Sequence, residues 1–166
     1  MNFANVESIT IPDGVVTKIM NGSKVLWEKI KTVNLIKTAL AAPDSTEIYY
    51  EIGYRDGYRW SSSGKKESAD TTGRITGWIP FVSGATYRIK NFYMSKTTGY
   101  VSGGYLVFYA NDGTITTKTI GRTNANYDAT TDTFVWSEVS SSRKYFRVSA
   151  YKCDAAPIIT MDEVTT

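Results

Sequence analysis

The sequence predicts an all-β protein: an antiparallel, jelly-roll-like β-sandwich preceded by a small N-terminal β-hairpin. Three observations carry this expectation. Thr occurs 22 times, Ser 15 and Tyr 12 against four Leu, and Thr and Tyr suit a pleated, half-buried surface better than a helix face. Turn signals then punctuate the chain from Tyr54 onward, among them Asp56-Gly57, Ser63-Gly64, Thr72-Gly73, Ser83-Gly84, Gly103-Gly104 and Asp112-Gly113. The segments between them are strand-length with no helical stretch, which is the cadence of a sandwich or barrel rather than of a parallel α/β sheet.

Taken in order, residues 1–31 form the connector. Ser8 to Ile11 alternates like a strand and stops at Pro12-Asp13-Gly14. Val15 to Met20 and Lys24 to Glu28 flank Asn21-Gly22, the strongest short hairpin signal. An isolated hairpin is marginal in water, so Val16, Ile19, Val25, Leu26 and Trp27 are expected to find cover, on the following domain or on another subunit. Residues 32–166 form the sandwich. Leu35, Ile36, Ala39 and Leu40 fall at helical spacing and predict one helical turn or two, ended by Pro43-Asp44-Ser45. Thr46 to Tyr50 returns to strand chemistry.

The stretch from Tyr54 to Phe81 predicts a strand entering a serine-rich loop, Ser61-Ser62-Ser63-Gly64, and a second strand returning from it. Further strands are expected at Arg74–Pro80, Thr86–Phe92, Gly104–Ala110, Ile115–Ile120, Thr133–Trp136 and Lys144–Lys152, with Ile158–Met161 as a closing edge. In Lys144–Lys152, Phe146, Val148 and Ala150 alternate with Tyr145, Arg147, Ser149 and Tyr151, predicting one core face and one wet face. In Gly104–Ala110 both alternating sets are apolar, so that strand should be central and covered on both sides.

Several function classes are limited by composition. At 166 residues the chain has room for one domain with a real core and a small appendage. A net charge of +3, with basic residues scattered among acids, is a weak footprint for nucleic acid. No apolar run approaches the roughly 20 residues that span a bilayer, so membrane insertion is not expected. The opening Met-Asn-Phe-Ala-Asn-Val-Glu-Ser lacks the pattern of a signal peptide, which suits synthesis in a cytoplasm. The chain has no histidine, so Ser-His-Asp and Cys-His catalysis and His-ligated metal sites are closed to it. Cys153 stands alone and reads as a buried structural thiol. No phosphate-loop or dinucleotide fingerprint is present, and no cofactor is expected.

Glycoside hydrolysis needs only two carboxylates at a suitable separation, so an Asp/Glu pair stays an alternative. Most acids, however, sit at turn positions (Asp13, Asp44, Asp56, Asp112, Asp128 and Asp132), where they cap local amides. The oxygen-rich run Asn124 to Asp132 could hold calcium but does not have EF-hand spacing, and it reads as an Asx-turn loop. The aromatic set Tyr54, Tyr58, Trp60, Trp78, Tyr93, Tyr100, Tyr105 and Trp136 lies near loops and strand ends, where flat rings can stack on sugar faces. Tyr58, Trp60 and Tyr100, surrounded by Ser and Gly, are the candidate glycan-binding residues. Trp78 is expected in the core.

Two motif groups carry a resemblance. Val16 to Glu28, Val-Thr-Lys-Ile-Met-Asn-Gly-Ser-Lys-Val-Leu-Trp-Glu, resembles a connector that recurs in tail and appendage proteins of phages infecting Firmicutes. Asn34-Leu35, Gly57 to Gly64, Thr76 to Pro80, Tyr87 to Lys90, Leu106 to Tyr109 and Phe146 to Tyr151 resemble a β-sandwich module of such virion proteins. The resemblance implies a non-enzymatic virion protein, a head or tail fibre, baseplate or decoration component. Its partners would be other virion proteins and a host-surface saccharide, and by analogy it would be a homo-oligomer, a homotrimer covering the hairpin's apolar residues. A cell-wall or polysaccharide hydrolase and a purely structural spacer are the alternatives.

Overall fold

The structure is a computed structural model that describes residues 18–21, 24–28, 34–93, 104–120, 127–128 and 130–162. The chain divides into two compact units, Met1–Thr32 and Val33–Thr166. In the first, β1 (Lys18–Asn21) and β2 (Lys24–Glu28) pair antiparallel around Asn21-Gly22, as the hairpin signal predicts. Ile19 lies opposite Trp27 and Met20 opposite Val25, so Leu26 is the extra residue of a bulge. Val16 and the candidate strand Ser8 to Ile11 lie outside the described residues.

The second unit is the all-β sandwich. Among the described residues its only helical piece is one 3-10 turn, Leu35–Thr38. Its strands are β3 (Tyr54–Trp60), β4 (Glu67–Thr76), β5 (Ile79–Pro80), β6 (Thr86–Lys90), β7 (Phe92–Tyr93), β8 (Gly104–Ala110), β9 (Ile115–Ile120), β10 (Tyr127–Asp128), β11 (Thr133–Ser137), β12 (Arg143–Lys152) and β13 (Ile158–Asp162). One antiparallel sheet runs β10-β11-β6-β13, and the other runs β3-β4-β12-β8-β9, with β5 and β7 also on β12. As expected, β13 closes an edge and β8 is central.

The main core lies between the sheets. Leu106 and Phe108 of β8 and Phe146, Val148 and Ala150 of β12 meet Tyr87 and Ile89 of β6, Phe134 and Trp136 of β11 and Ile159 of β13. The rings of Tyr87 and Trp136 stack with centroids 5.1 Å apart, and Phe146 meets Tyr87 edge-on at 4.8 Å. Trp136 is therefore a core residue, 2 % exposed.

A second cluster corrects the prediction of a wet face on β12. Tyr145, Arg147 and Ser149, on the face opposite Phe146, are all buried. Residues 39–49 form a strap across that face, held where Leu40 and Trp78 exchange backbone hydrogen bonds of 2.8 Å in both directions and Tyr49 N–H donates to the Ala39 carbonyl. Under it, Tyr49, Trp60, Ile75, Trp78, Val107 and Tyr145 form a core of their own. The strap is why Thr46 to Tyr50 is not the expected strand: of those residues only Ile48 makes a β-bridge, to Leu40. The polar side chains of β12 look solvated in sequence because a strap from distant residues leaves no trace in the strand's own alternation.

Two expected turns are also strand interior. Gly57 (φ +82°) sits at the β3 bulge between Asp56 and Tyr58, and Gly73 lies within β4, where an added Cβ would stand 2.3 Å from the Tyr58 carbonyl oxygen. Gly57 marks a bulge with a left-handed backbone and Gly73 a close approach inside the sheet, and neither reverses the chain.

Candidate functional site

Of the expected aromatic platform, Trp60 does not open to solvent. Trp60 is 9 % exposed, and its ring lies 3.3 Å from the guanidinium carbon of Arg147, which sits 3.9 Å from the Trp78 ring as well. Its indole N–H donates to the Thr76 carbonyl at 3.4 Å. Trp60 thus offers no free face to a sugar, a correction that follows from its position under the strap. Tyr58 is half-buried, with the Arg55 guanidinium 3.3 Å above its ring. Tyr100 lies outside the described residues. Trp78 is 4 % exposed, in the core as expected, though in the outer cluster.

The serine loop is pinned as well. Gly64 is buried, its carbonyl accepts from Arg147 Nη2, and the Thr117 hydroxyl donates to the Ser62 carbonyl at 2.8 Å. Among the described residues Arg147 Nε has no hydrogen-bond partner. Burial holds the Arg147 guanidinium down to a pKa of about 9, only partly offset by Tyr49 and Glu67.

Concave space lies elsewhere, where the start of β3, the end of β12 and the β12–β13 connection meet. Two adjoining lobes share Tyr54 and Ala156. A polar lobe of about 450 Å³ is bounded by Tyr54, Asp56, Arg74, Lys152, Cys153, Asp154 and Ala156. An apolar lobe of about 300 Å³ is bounded by Asn34, Ile36, Lys37, Glu51, Ile52, Tyr54, Ala156 and Pro157. Both volumes fall in the range of small-ligand sites.

The floor of the polar lobe is a closed hydrogen-bond network. Arg74, 2 % exposed, donates from Nε and Nη2 to the two Asp56 carboxylate oxygens at 2.7 and 3.0 Å. Its Nη1 donates to the carbonyls of Asn91 (3.0 Å) and Ala155 (2.7 Å), and Nη2 also donates to that of Cys153 (3.0 Å). All five guanidinium N–H groups are used, so Arg74 has none left for a ligand. Burial alone would depress this guanidinium, but the hydrogen bonds and charge of Asp56 leave it above its ordinary value. Asn91, at φ 64°, also accepts from the Cys153 thiol at 3.0 Å and donates from Nδ2 to the Ala156 carbonyl at 2.7 Å. Cys153 is half-buried at the cleft rather than buried as expected, with its thiol donating to the Asn91 carbonyl.

The apolar lobe is shaped by two devices. Asn34 caps the 3-10 turn by accepting from Ile36 N–H at 3.3 Å and ties it to β13 by accepting from Ile159 N–H at 3.0 Å, while Nδ2 donates to the Pro157 carbonyl at 3.2 Å. The turn before β3 holds Tyr50 (φ 48°), Glu51 (φ 60°) and Gly53 (φ 81°) in the left-handed region. Gly53 is required there, because a Cβ would overlap the Ile36 carbonyl. The two non-glycine residues cost on the order of 1–2 kcal/mol each, and they present Ile52, 53 % exposed, at the lobe's edge.

The charged side chains around the cleft that are not committed to the floor are Lys152, Asp154, Lys37 and Glu51; none makes a side-chain hydrogen bond or ion pair among the described residues. Sequence reading missed this site apart from Tyr54, because its residues come from five separated stretches with no local motif.

The acids fall into two groups. Asp112 and Asp128 cap local amides as expected, accepting from Thr114 N–H at 2.9 Å and Thr130 N–H at 2.8 Å. Asp44 instead reaches across the chain to the Tyr145 hydroxyl at 2.9 Å and Lys144 at 2.6 Å, as Asp56 does to Arg74. The Asp128 carboxylate also accepts from the Thr131 hydroxyl at 2.7 Å, so the part of the candidate calcium run that is described is an Asx turn.

No protein family, curated protein or solved structure matches the chain.

Proposed function

We propose that the chain is a non-enzymatic virion structural protein of a phage infecting Firmicutes, a fibre, baseplate or decoration component, whose sandwich binds a host-surface glycan through the cleft at Tyr54. The observation that carries the binding half is the half-buried Tyr54 ring, packed against the main core with the Arg74 guanidinium carbon 5.3 Å from its centre, which lines both a lobe with unpaired charged groups and an apolar lobe. Sugar sites are built this way, from a flat ring for the apolar face of the pyranose and convergent polar groups for its hydroxyls. The all-β sandwich is compatible with an appendage module, and the virion half rests on the resemblance of the sequence motifs.

The non-enzymatic half is supported by how the acids are used. A glycosidase needs one carboxyl held protonated as general acid. Asp44, Asp70, Asp112 and Asp128 are all shifted the other way, each first by a hydrogen bond from Lys144, Thr72, Thr114 or Thr131 respectively. Asp56, in the cleft, is bound by Arg74 through both oxygens.

The test is a glycan array together with whole-cell binding, alongside sedimentation with purified virions. Binding to a saccharide and to virions is the expected outcome. Virion binding with a blank array and unbound cells would end the adhesion half and leave the assembly half. Release of sugar from cell wall or capsule, lost in a single Asp or Glu variant, would replace both with the hydrolase.

A further inference from the structure

We infer that the cleft takes an uncharged N-acetylated hexose, with its ring on Tyr54, its hydroxyls in the polar lobe and its acetamido group in the apolar lobe; this rests on the glycan-binding reading above. Two features of the cleft select that ligand.

The first is the change of polarity across Tyr54. Beyond the ring on one side stand the unpaired Lys152 and Asp154, a donor and an acceptor suited to sugar hydroxyls. On the other side the wall is Ile36, Ile52 and Pro157. A plain hexose carries hydroxyls around its whole ring, so those set against Ile36, Ile52 and Pro157 would lose water to an apolar wall, where a methyl group gains contact instead. A ligand with one methyl-bearing arm beside a hydroxylated ring satisfies both lobes. The acetamido group has that form, and its N–H and C=O match the acceptor Glu51 and the donor Lys37 that also line the apolar lobe.

The second is charge balance. Each lobe carries one unpaired base and one unpaired acid, Lys152 with Asp154 and Lys37 with Glu51. The remaining ions of the polar lobe, Arg74 and Asp56, neutralise one another at 2.7 Å. The cleft therefore sets up no net field that would favour a uronic acid, a phosphate-bearing polymer or an amino sugar.

The experiment titrates the ¹⁵N-labelled full chain with N-acetylglucosamine, N-acetylgalactosamine, glucose and glucosamine, following amide shifts. Both acetamido sugars are expected to bind at least about tenfold more tightly than glucose, the discrimination one buried methyl-bearing group supplies. Glucosamine should bind no better than glucose. Ile52→Asp, at an exposed position, is expected to bring the preference close to one, with Ile52→Ser intermediate; Asp154→Ala should weaken all four sugars together. Equal binding of glucose and N-acetylglucosamine, tighter binding of glucosamine, or an unchanged preference in Ile52→Asp would overturn the acetamido assignment and leave the glycan reading in place. No shift with any sugar, together with a blank glycan array, would overturn both.

Discussion

The sandwich buries two arginines on neighbouring strands, and replacing each by Met should have unequal consequences. Arg74 donates all five of its N–H groups, to the Asp56 carboxylate and to the carbonyls of Asn91, Cys153 and Ala155. Met at that position removes every donor at once, and breaking a buried charged network of this kind costs about 3–5 kcal/mol. Arg147 donates one hydrogen bond, to the Gly64 carbonyl, and leaves Nε unpaired. The fall of its guanidinium to about 9 opposes folding by on the order of 5 kcal/mol at neutral pH, at about 1.36 kcal/mol per pH unit. Against this stand two stacked indoles at about 2 kcal/mol each and one charged hydrogen bond at about 1.5–3 kcal/mol.

These contributions nearly cancel, so Arg147→Met, which keeps an aliphatic chain between Trp60 and Trp78, should change stability by no more than about 2 kcal/mol, mostly from the orphaned Gly64 carbonyl. Urea unfolding followed by far-UV circular dichroism measures both, provided the slope with denaturant is unchanged. Arg74→Lys, with three donors for five acceptor contacts, should fall between them. Equal losses for the two Met variants, or a larger loss at Arg147, would refute the reasoning that hydrogen-bond satisfaction, rather than burial of charge, decides which arginine stabilises the fold.

Three further outcomes are expected. Gly64→Ala should lower stability by about 1–3 kcal/mol in a thermal melt, since Gly64 has φ +69° and a Cβ would stand 2.5 Å from Val107 Cγ1. Because Asp44, Asp70, Asp112 and Asp128 lie below the ordinary 3.8 when folded, their contribution is present above 3.8 and is lost as pH falls through their folded values; Tm should drop in that window, and Asp44→Asn, which removes the contact with Lys144, should flatten part of the drop. The Tyr49 phenol is pushed up from 10.0, first by burial and then by its hydrogen bond to Glu67, so its contribution is complete below 10.0 and is lost as pH rises above it. Tyr49→Phe should reduce that alkaline loss, read as Tm against pH from 9 to 11 with unchanged acid behaviour.

Much of the fold is legible in local chemistry. β8 and β9 span Gly104–Ala110 and Ile115–Ile120, the same limits that the alternation and the intervening Asp112-Gly113 turn predict. Helical spacing of Leu35, Ile36, Ala39 and Leu40 corresponds to one 3-10 turn with Ile36 and Ala39 buried. What misleads is glycine: Gly57 and Gly73 read as turns, yet a residue without Cβ is equally what a bulge or a tight strand crossing demands, and composition cannot separate the two. The aromatic reading fails at Trp60 for a different reason. Its Ser- and Gly-rich neighbours suggest exposure, while the groups that bury it are Arg147 and the 39–49 strap, both remote in sequence.

The sequence by itself therefore determined the class of structure, through β-forming composition, period-two alternation and turn chemistry, all of which act within a few residues. Only the tertiary structure decided which face of β12 is wet, which arginine is satisfied and where a cleft opens. Those outcomes depend on side chains far apart along the chain meeting in space: Asp56 with Arg74 and Cys153, Asn34 with Pro157, and Tyr54 standing between the two lobes.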